Sequence, residues 1–262
     1  MLMALILFVC LGLAAGLLLA FLSRALAVPE AEEVQRVREA LPGINCGVCG
    51  YSGCDQYARA CVEERIVPDR CVPGGEETSR RISGITGVAA GGVAQRVAFV
   101  GCAGGTQDRE LKFAYRGMHT CAALNQFYGG DRSCPYGCLG LGDCVKACAY
   151  GALTLAEGVA RIDSGRCTGC LMCVKSCPKG LIQPLPRRGT ARVVCSSRQG
   201  ARETRQDCKR GCIGCGKCAR TCEQEAIALR EHLAVIDPEK CTGCGRCAQA
   251  CPVGCIEMAG EA

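Results

Sequence analysis

The sequence predicts an α+β chain built from small cysteine-held modules behind an N-terminal transmembrane helix. A four-cysteine module comes first, followed by two tandem copies of an eight-cysteine domain. Three observations carry this reading: an uncharged apolar run at the N-terminus, 27 cysteines gathered mostly in C-x2-C runs, and an internal repeat.

With 262 residues, no Trp, 4% aromatic content and 35 glycines beside the 27 cysteines, the chain is poorly supplied for one large apolar core. Disulfides or metal centres must therefore hold much of it together. Tight C-x2-C runs are metal-ligand spacing, and neighbouring cysteines of this kind wrap one inorganic core more readily than they pair elsewhere. Zinc would need all-cysteine sites, because His119 and His232 are the only histidines. Iron–sulfur clusters fit the pattern best. The formal charge of +6 is then no sign of nucleic acid binding, since each four-thiolate cluster carries about −2 and five bring the total to roughly −4. No basic stripe interleaved with aromatics is present either.

Residues 2–22 carry no charge and would form a helix of about 31 Å, enough to cross a bilayer of ~30 Å. A secretory signal is the alternative, with Ala25 and Ala27 resembling a cleavage site. The apolar run is longer than a signal core, however, and no Lys or Arg precedes it. Arg24, Arg36 and Arg38 follow it, which puts the cluster domains on the cytoplasmic side of the cell (inner) membrane. Cys10 is an apolar filler of the span.

The chain divides into an anchor at 1–28, a four-cysteine module at 29–73, a Gly/Ser/Thr-rich linker at 74–95, and repeats at 96–184 and 185–262. A short helix is expected after Pro29, with Glu30, Glu32 and Glu33 in its first turns. A strand is expected over 96–101. Cys121, Cys134, Cys138, Cys144, Cys148, Cys167, Cys170, Cys173 and Cys177 each recur 74 residues later, and the register needs no insertion or deletion. Such coincidence means duplication. Segments 152–163 and 226–237 each read as two short strands about a turn.

In the second repeat, Cys212-x2-Cys215-x2-Cys218-x3-Cys222 and Cys241-x2-Cys244-x2-Cys247-x3-Cys251-Pro252 form the paired run of a bacterial two-[4Fe–4S] ferredoxin. In that design the fourth cysteine of each run serves the other cluster. Cys212, Cys215, Cys218 and Cys251 are expected to hold one cluster, and Cys222, Cys241, Cys244 and Cys247 the other. In the first repeat, Cys148, Cys167, Cys170 and Cys173 form an equally complete set. Its companion set is incomplete, because Leu141 stands where Cys215 stands in the second repeat. Leucine cannot ligate iron. The simplest replacement is Cys134, joining Cys138, Cys144 and Cys177; Cys121 as ligand or a three-iron cluster are the alternatives.

Cys46-x2-Cys49-x4-Cys54-x16-Cys71 supplies four thiolates for a further site, [4Fe–4S] or zinc, bringing the expected total to about five clusters. A helix should lead away from it over 55–66. Cys61, Cys102, Cys195, Cys208 and Cys255 have no assigned work, and burial as small apolar residues is their default. No phosphate-binding loop of Walker type and no strand–GxGxxG–helix unit is present, so single-electron transfer is the expected chemistry.

The run from Leu41 through Cys46, Cys49 and Cys54, the run Cys134-Pro-Tyr-Gly-Cys138 to Cys144, and the single N-terminal span together resemble the B subunit of the Rnf electron transport complex, in a long form with duplicated ferredoxin domains. The resemblance implies an ion-translocating ferredoxin:NAD oxidoreductase driven by electron transfer. It further implies partner subunits in the membrane and soluble ferredoxin as donor at the C-terminal repeats. A polyferredoxin serving a membrane hydrogenase or dehydrogenase is the competing function, and a cluster-based redox sensor a weaker one, since no output module is visible.

Overall fold

The computed structural model describes residues 2–25, 31–187 and 189–258. The expected helix start at Pro29 and Glu30, and Ala27 of the cleavage-like sequence, lie outside them. Helix α1 (Leu2–Ala25) is long and apolar enough to cross a membrane, and the side chains of Leu2–Arg24 are exposed.

The next unit is all helical. In α2 (Glu32–Ala40), Val34, Val37 and Ala40 recur at helical spacing and share the inward face, while Glu32 and Glu33 lie in the first turn, where the helix dipole favours acids. In α3 (Cys54–Glu63), Tyr57, Ala58, Ala60 and Cys61 face α2. The backbone N–H of Cys54 donates to Asn45 Oδ1 at 2.8 Å, so a side chain outside the helix satisfies one of the free N–H groups of its first turn. Tyr57 is fully buried, and its hydroxyl accepts from the Arg70 N–H at 3.3 Å.

The glycine-rich segment after the module, expected as a linker, contains α4 (Gly75–Thr86). Buried Ile82 packs into the core of Val34, Val37, Tyr57 and Cys61, with half-buried Ile85 against it and Thr78, Ser79 and Thr86 buried on the same helix. The helix stops at Gly87, which adopts φ +73° and returns its N–H to the Ser83 carbonyl. Composition concealed this helix because its buried face is mostly small and polar.

Two ferredoxin-like domains follow. The first contains β1 (Arg96–Val100), α5 (Cys121–Asn125), α6 (Asp143–Lys146), β2 (Leu153–Ala156), β3 (Val159–Ile162), α7 (Met172–Ser176) and β4 (Ile182–Pro186). The second contains β5 (Ala191–Val193), α8 (Ala201–Asp207), α9 (Lys217–Thr221), β6 (Ile227–Arg230), β7 (Leu233–Ile236), α10 (Arg246–Ala250) and β8 (Ile256–Met258). Strands β2–β3 and β6–β7 are antiparallel hairpins, and β1–β4 and β5–β8 antiparallel pairs that close each domain. Both hairpin turns, Glu157–Gly158 and Glu231–His232, have positive φ at both central residues, the geometry that matches the twist of a two-residue hairpin.

Register corrects the repeat. Val100 lies opposite Ile182 as Val193 lies opposite Ile256. The isoleucines are 74 residues apart and the valines 93, so the first repeat carries 19 extra residues after its opening strand. Those residues include α5. The counterpart of Cys195 is therefore Cys102, each two residues beyond an equivalent valine, and the match of Cys121 to Cys195 at the common offset is coincidental.

If α4 belongs to the helical module, Ile82→Ala should lower its stability by about 2–4 kcal/mol. Thermal melting and limited proteolysis at 75–95 would register this; an unchanged melting point with wild-type cleavage there would restore the linker.

Candidate cluster sites

In the two ferredoxin-like domains each cysteine run forms a loop ahead of a one-turn helix, and tight backbone packing holds the loop in place. Gly169 and Gly243, between the first two cysteines of their runs, have φ of +71° and +74° and press against the carbonyls of Arg96 and Gly189. A Cβ at either would collide with those carbonyls, so the loop cannot accept a larger residue there. Backbone N–H groups then reach the sulfurs: Ala98 donates to Cys167 Sγ at 3.5 Å and Ala152 to Cys148 Sγ at 3.3 Å. Such bonds stabilise negative charge on a thiolate and tune a bound cluster.

Four cavities collect the cysteines of the two domains in the crossed pattern. Cys212, Cys215, Cys218 and Cys251 line one. Cys222, Cys241, Cys244 and Cys247 line another; of these Cys222 and Cys251 come from the opposite runs, as the two-cluster design requires. Cys148, Cys167, Cys170 and Cys173 line a third. In the helical unit, Cys46, Cys49 and Cys54 lie close to Cys71, whose thiol is pushed up to about 11 by burial, the Gly74 N–H opposing.

The fourth cavity departs from the expectation made for it. Cys138, Cys144 and Cys177 are joined by Cys121, not by Cys134. Burial and the surrounding Cys138, Cys121 and Cys177 push the Cys144 thiol up to about 12. Cys121 is the first residue of α5, whose Thr120 cap accepts from the Ala123 N–H at 3.2 Å. Asp143 Oδ2 accepts from the Ala122 N–H at 3.0 Å and ties α5 to the neighbouring run. Leu141 packs with Cys121, Leu124 and Leu139. The inserted segment thus delivers a thiol to the place that Leu141 left without one. The sequence signal was the coincidence of a missing ligand with an extra cysteine behind a Thr cap.

Cys134 lies instead in a separate cavity with Cys102, Cys195 and Cys208. Cys61 belongs to the helical core. Cys255, also buried, donates from its thiol to Cys212, which lowers the Cys212 thiol, and lies 3.6 Å from Cys251 Sγ.

These donor sets fit clusters better than zinc. Tetrahedral zinc at ~2.3 Å per thiolate needs sulfurs about 3.8 Å apart. Among the described residues, no three His, Cys, Asp or Glu side chains converge tightly enough for a single metal ion. Buried thiols with raised pKa lose their protons on ligation, so assembly at these sites releases protons.

The sites follow one another through contacts. Lys175 Nζ donates to the Cys46 carbonyl at 2.7 Å and joins the helical module to α7. Cys46 lies close to Cys170, and Cys173 to Cys144. At the far end, Cys215 and Cys244 are exposed to solvent.

Known families match this layout. Residues 133–181 and 211–255 match a 4Fe-4S dicluster domain, residues 166–227 a second dicluster family, and residues 41–73 a family described as a putative Fe-S cluster. The chain is 35% identical over 249 residues to the B subunit of the ion-translocating oxidoreductase complex of Methanosarcina acetivorans, covering 95% of this chain and 94% of that protein. It is 38% identical to the B subunit of the proton-translocating ferredoxin:NAD(+) oxidoreductase complex of Clostridium ljungdahlii, over 90% of this chain and 84% of that one. The corresponding B subunit of the Na(+)-translocating complex of Acetobacterium woodii is 35% identical, over 94% and 74%.

Cys121→Ser should leave three thiols at the Leu141 site, costing about one iron and giving a three-iron EPR signal in the oxidised protein. Adding Leu141→Cys should abolish that signal. Unchanged iron content with no three-iron signal in Cys121→Ser would exclude Cys121 as the replacement ligand.

Proposed function

The chain belongs to the B-subunit family of ion-translocating oxidoreductase complexes, and we propose that it is the iron–sulfur relay of a ferredoxin:NAD oxidoreductase complex. One observation carries the reading: four-thiol sites run from solvent-exposed ligands in the second repeat to the helical module next to the membrane anchor. The sites are Cys212/Cys215/Cys218/Cys251, Cys222/Cys241/Cys244/Cys247, Cys121/Cys138/Cys144/Cys177, Cys148/Cys167/Cys170/Cys173 and Cys46/Cys49/Cys54/Cys71. When bound, [4Fe–4S] clusters supply the one-electron chemistry. The chain's own part is to hold the sulfurs, exclude water around the inner ones and set the order.

Electrons arrive at the second repeat from soluble ferredoxin and leave from the helical module to partner subunits in the membrane. Cys215 and Cys244 are exposed, and exposed Lys217, Arg220 and Lys240 stand near them, while Arg246 pairs with Glu223. A basic rim of this kind favours encounter with an acidic redox protein. Arg24, Arg36 and Arg38 after the span support a cytoplasmic location for the domains.

Stopped-flow mixing with reduced ferredoxin should bleach the cluster absorption at a rate that falls steeply with salt. Lys217→Glu with Lys240→Glu should slow it roughly tenfold at low ionic strength while leaving iron content unchanged. A rate indifferent to both salt and charge reversal would contradict docking at this end.

A further inference from the structure

Four cysteines without a role in the five sites, Cys102, Cys134, Cys195 and Cys208, line one cavity between the two repeats. Their origin is symmetric. Cys102 and Cys195 follow the equivalent strands β1 and β5, and Cys134 and Cys208 each precede the first run of their repeat by four residues. The interface around them has the reciprocity of a two-fold contact. The Ala103 N–H donates to the Val194 carbonyl at 2.9 Å, while Ser196 Oγ donates to the Gly101 carbonyl at 2.8 Å. Ser133 Oγ donates at 2.7 Å to the carbonyl of Asp207, its own counterpart in the other repeat.

Each of the four sulfurs has a backbone N–H directed at it. Cys138 donates to Cys102 Sγ at 3.4 Å, and Cys212 and Ser197 donate to Cys195 Sγ at 3.2 and 3.4 Å. Tyr136 donates to Cys134, and Arg210 to Cys208. This is the donor environment of the other sites. Space is held open for the sulfurs: a Cβ on Gly104 would lie 2.7 Å from Cys208 Sγ.

A second observation calls for negative charge here. Arg109 lines the same cavity and is only 3% exposed. Its Nη1 donates to the Cys138 carbonyl at 2.8 Å, but its Nε and Nη2 are buried with no partner. The guanidinium stands beside Cys134 and Cys208. A buried cation facing four neutral thiols is costly, and one facing a four-thiolate cluster of about −2 is compensated.

We infer that Cys102, Cys134, Cys195 and Cys208 ligate a sixth [4Fe–4S] cluster, two ligands from each repeat, whose charge is balanced by Arg109. The site rests on the electron-relay reading and completes it. Cys138, a ligand of the site beside Leu141, donates to Cys102; Cys212, a ligand in the second repeat, donates to Cys195. An electron leaving the second repeat thus reduces the bridging site and then oxidises it again on passing to the first repeat, with no bond made or broken.

The test is an iron, sulfide and zinc count on the full-length protein purified and reconstituted without oxygen, repeated for Cys102→Ser with Cys208→Ser. The inference expects about twenty-four irons and as many sulfides per chain with no zinc, falling to about twenty in the variant. About twenty irons in the unaltered chain, with or without one zinc, would overturn the sixth site and leave the five-site relay standing. Fewer than twenty would count against both. The unaltered chain decides even if the variant fails to fold. A variant that keeps about twenty-four irons would also overturn the assignment.

Discussion

Thiolate ligation does in this chain what apolar packing does in most chains of its length. The domains have short strands and one-turn helices, and cysteines are interleaved with Val, Ala, Leu and Ile in their buried surfaces. Left as thiols, buried groups such as Cys144 and Cys71 resist ionisation; as ligands of an inorganic core they are both charged and satisfied. Loop glycines, N–H groups aimed at sulfur and the crossed ligand pattern all follow from that requirement. The helical module has a small apolar core with fewer cysteines, to which α4 contributes Ile82.

Duplication explains the geometry between the domains. Two copies of one unit meet through equivalent surfaces, so any cysteine near their shared axis meets its counterpart. Cys102 with Cys195 and Cys134 with Cys208 satisfy that condition. The first repeat then diverged by an insertion, which carries Cys121 to the site where Leu141 replaced a ligand. Cys134 stays at the interface, as Cys208 does in the repeat that keeps its full run.

Local spacing made much of this legible in the sequence. A C-x2-C-x2-C-x3-C run specifies three ligands of one cluster and one of its neighbour within a dozen residues, so the second repeat could be assigned without coordinates. The hairpins were legible from their alternation and turns. Ligands that meet only through tertiary structure were not: Cys102 and Cys195 lie 93 residues apart and follow strands, with no motif around either. Counting ligands within one repeat led to Cys134, because Cys134 is nearest in sequence to the gap at Leu141, whereas α5 brings Cys121 nearest in space. The constant 74-residue offset concealed the insertion by matching Cys121 to Cys195 by chance. Helix α4 was hidden by a buried face of Thr, Ser and one Ile.

The central claim is an ordered path from the exposed second repeat to the module beside the membrane. Rapid freeze-quench EPR after mixing the intact protein with less than one equivalent of reduced ferredoxin tests it most directly. The account predicts that signals of the second-repeat clusters rise first and decay as that of the Cys46/Cys49/Cys54/Cys71 site grows. Reduction of that site first, or at the same rate in a chain whose second-repeat ligands have been removed, would contradict it.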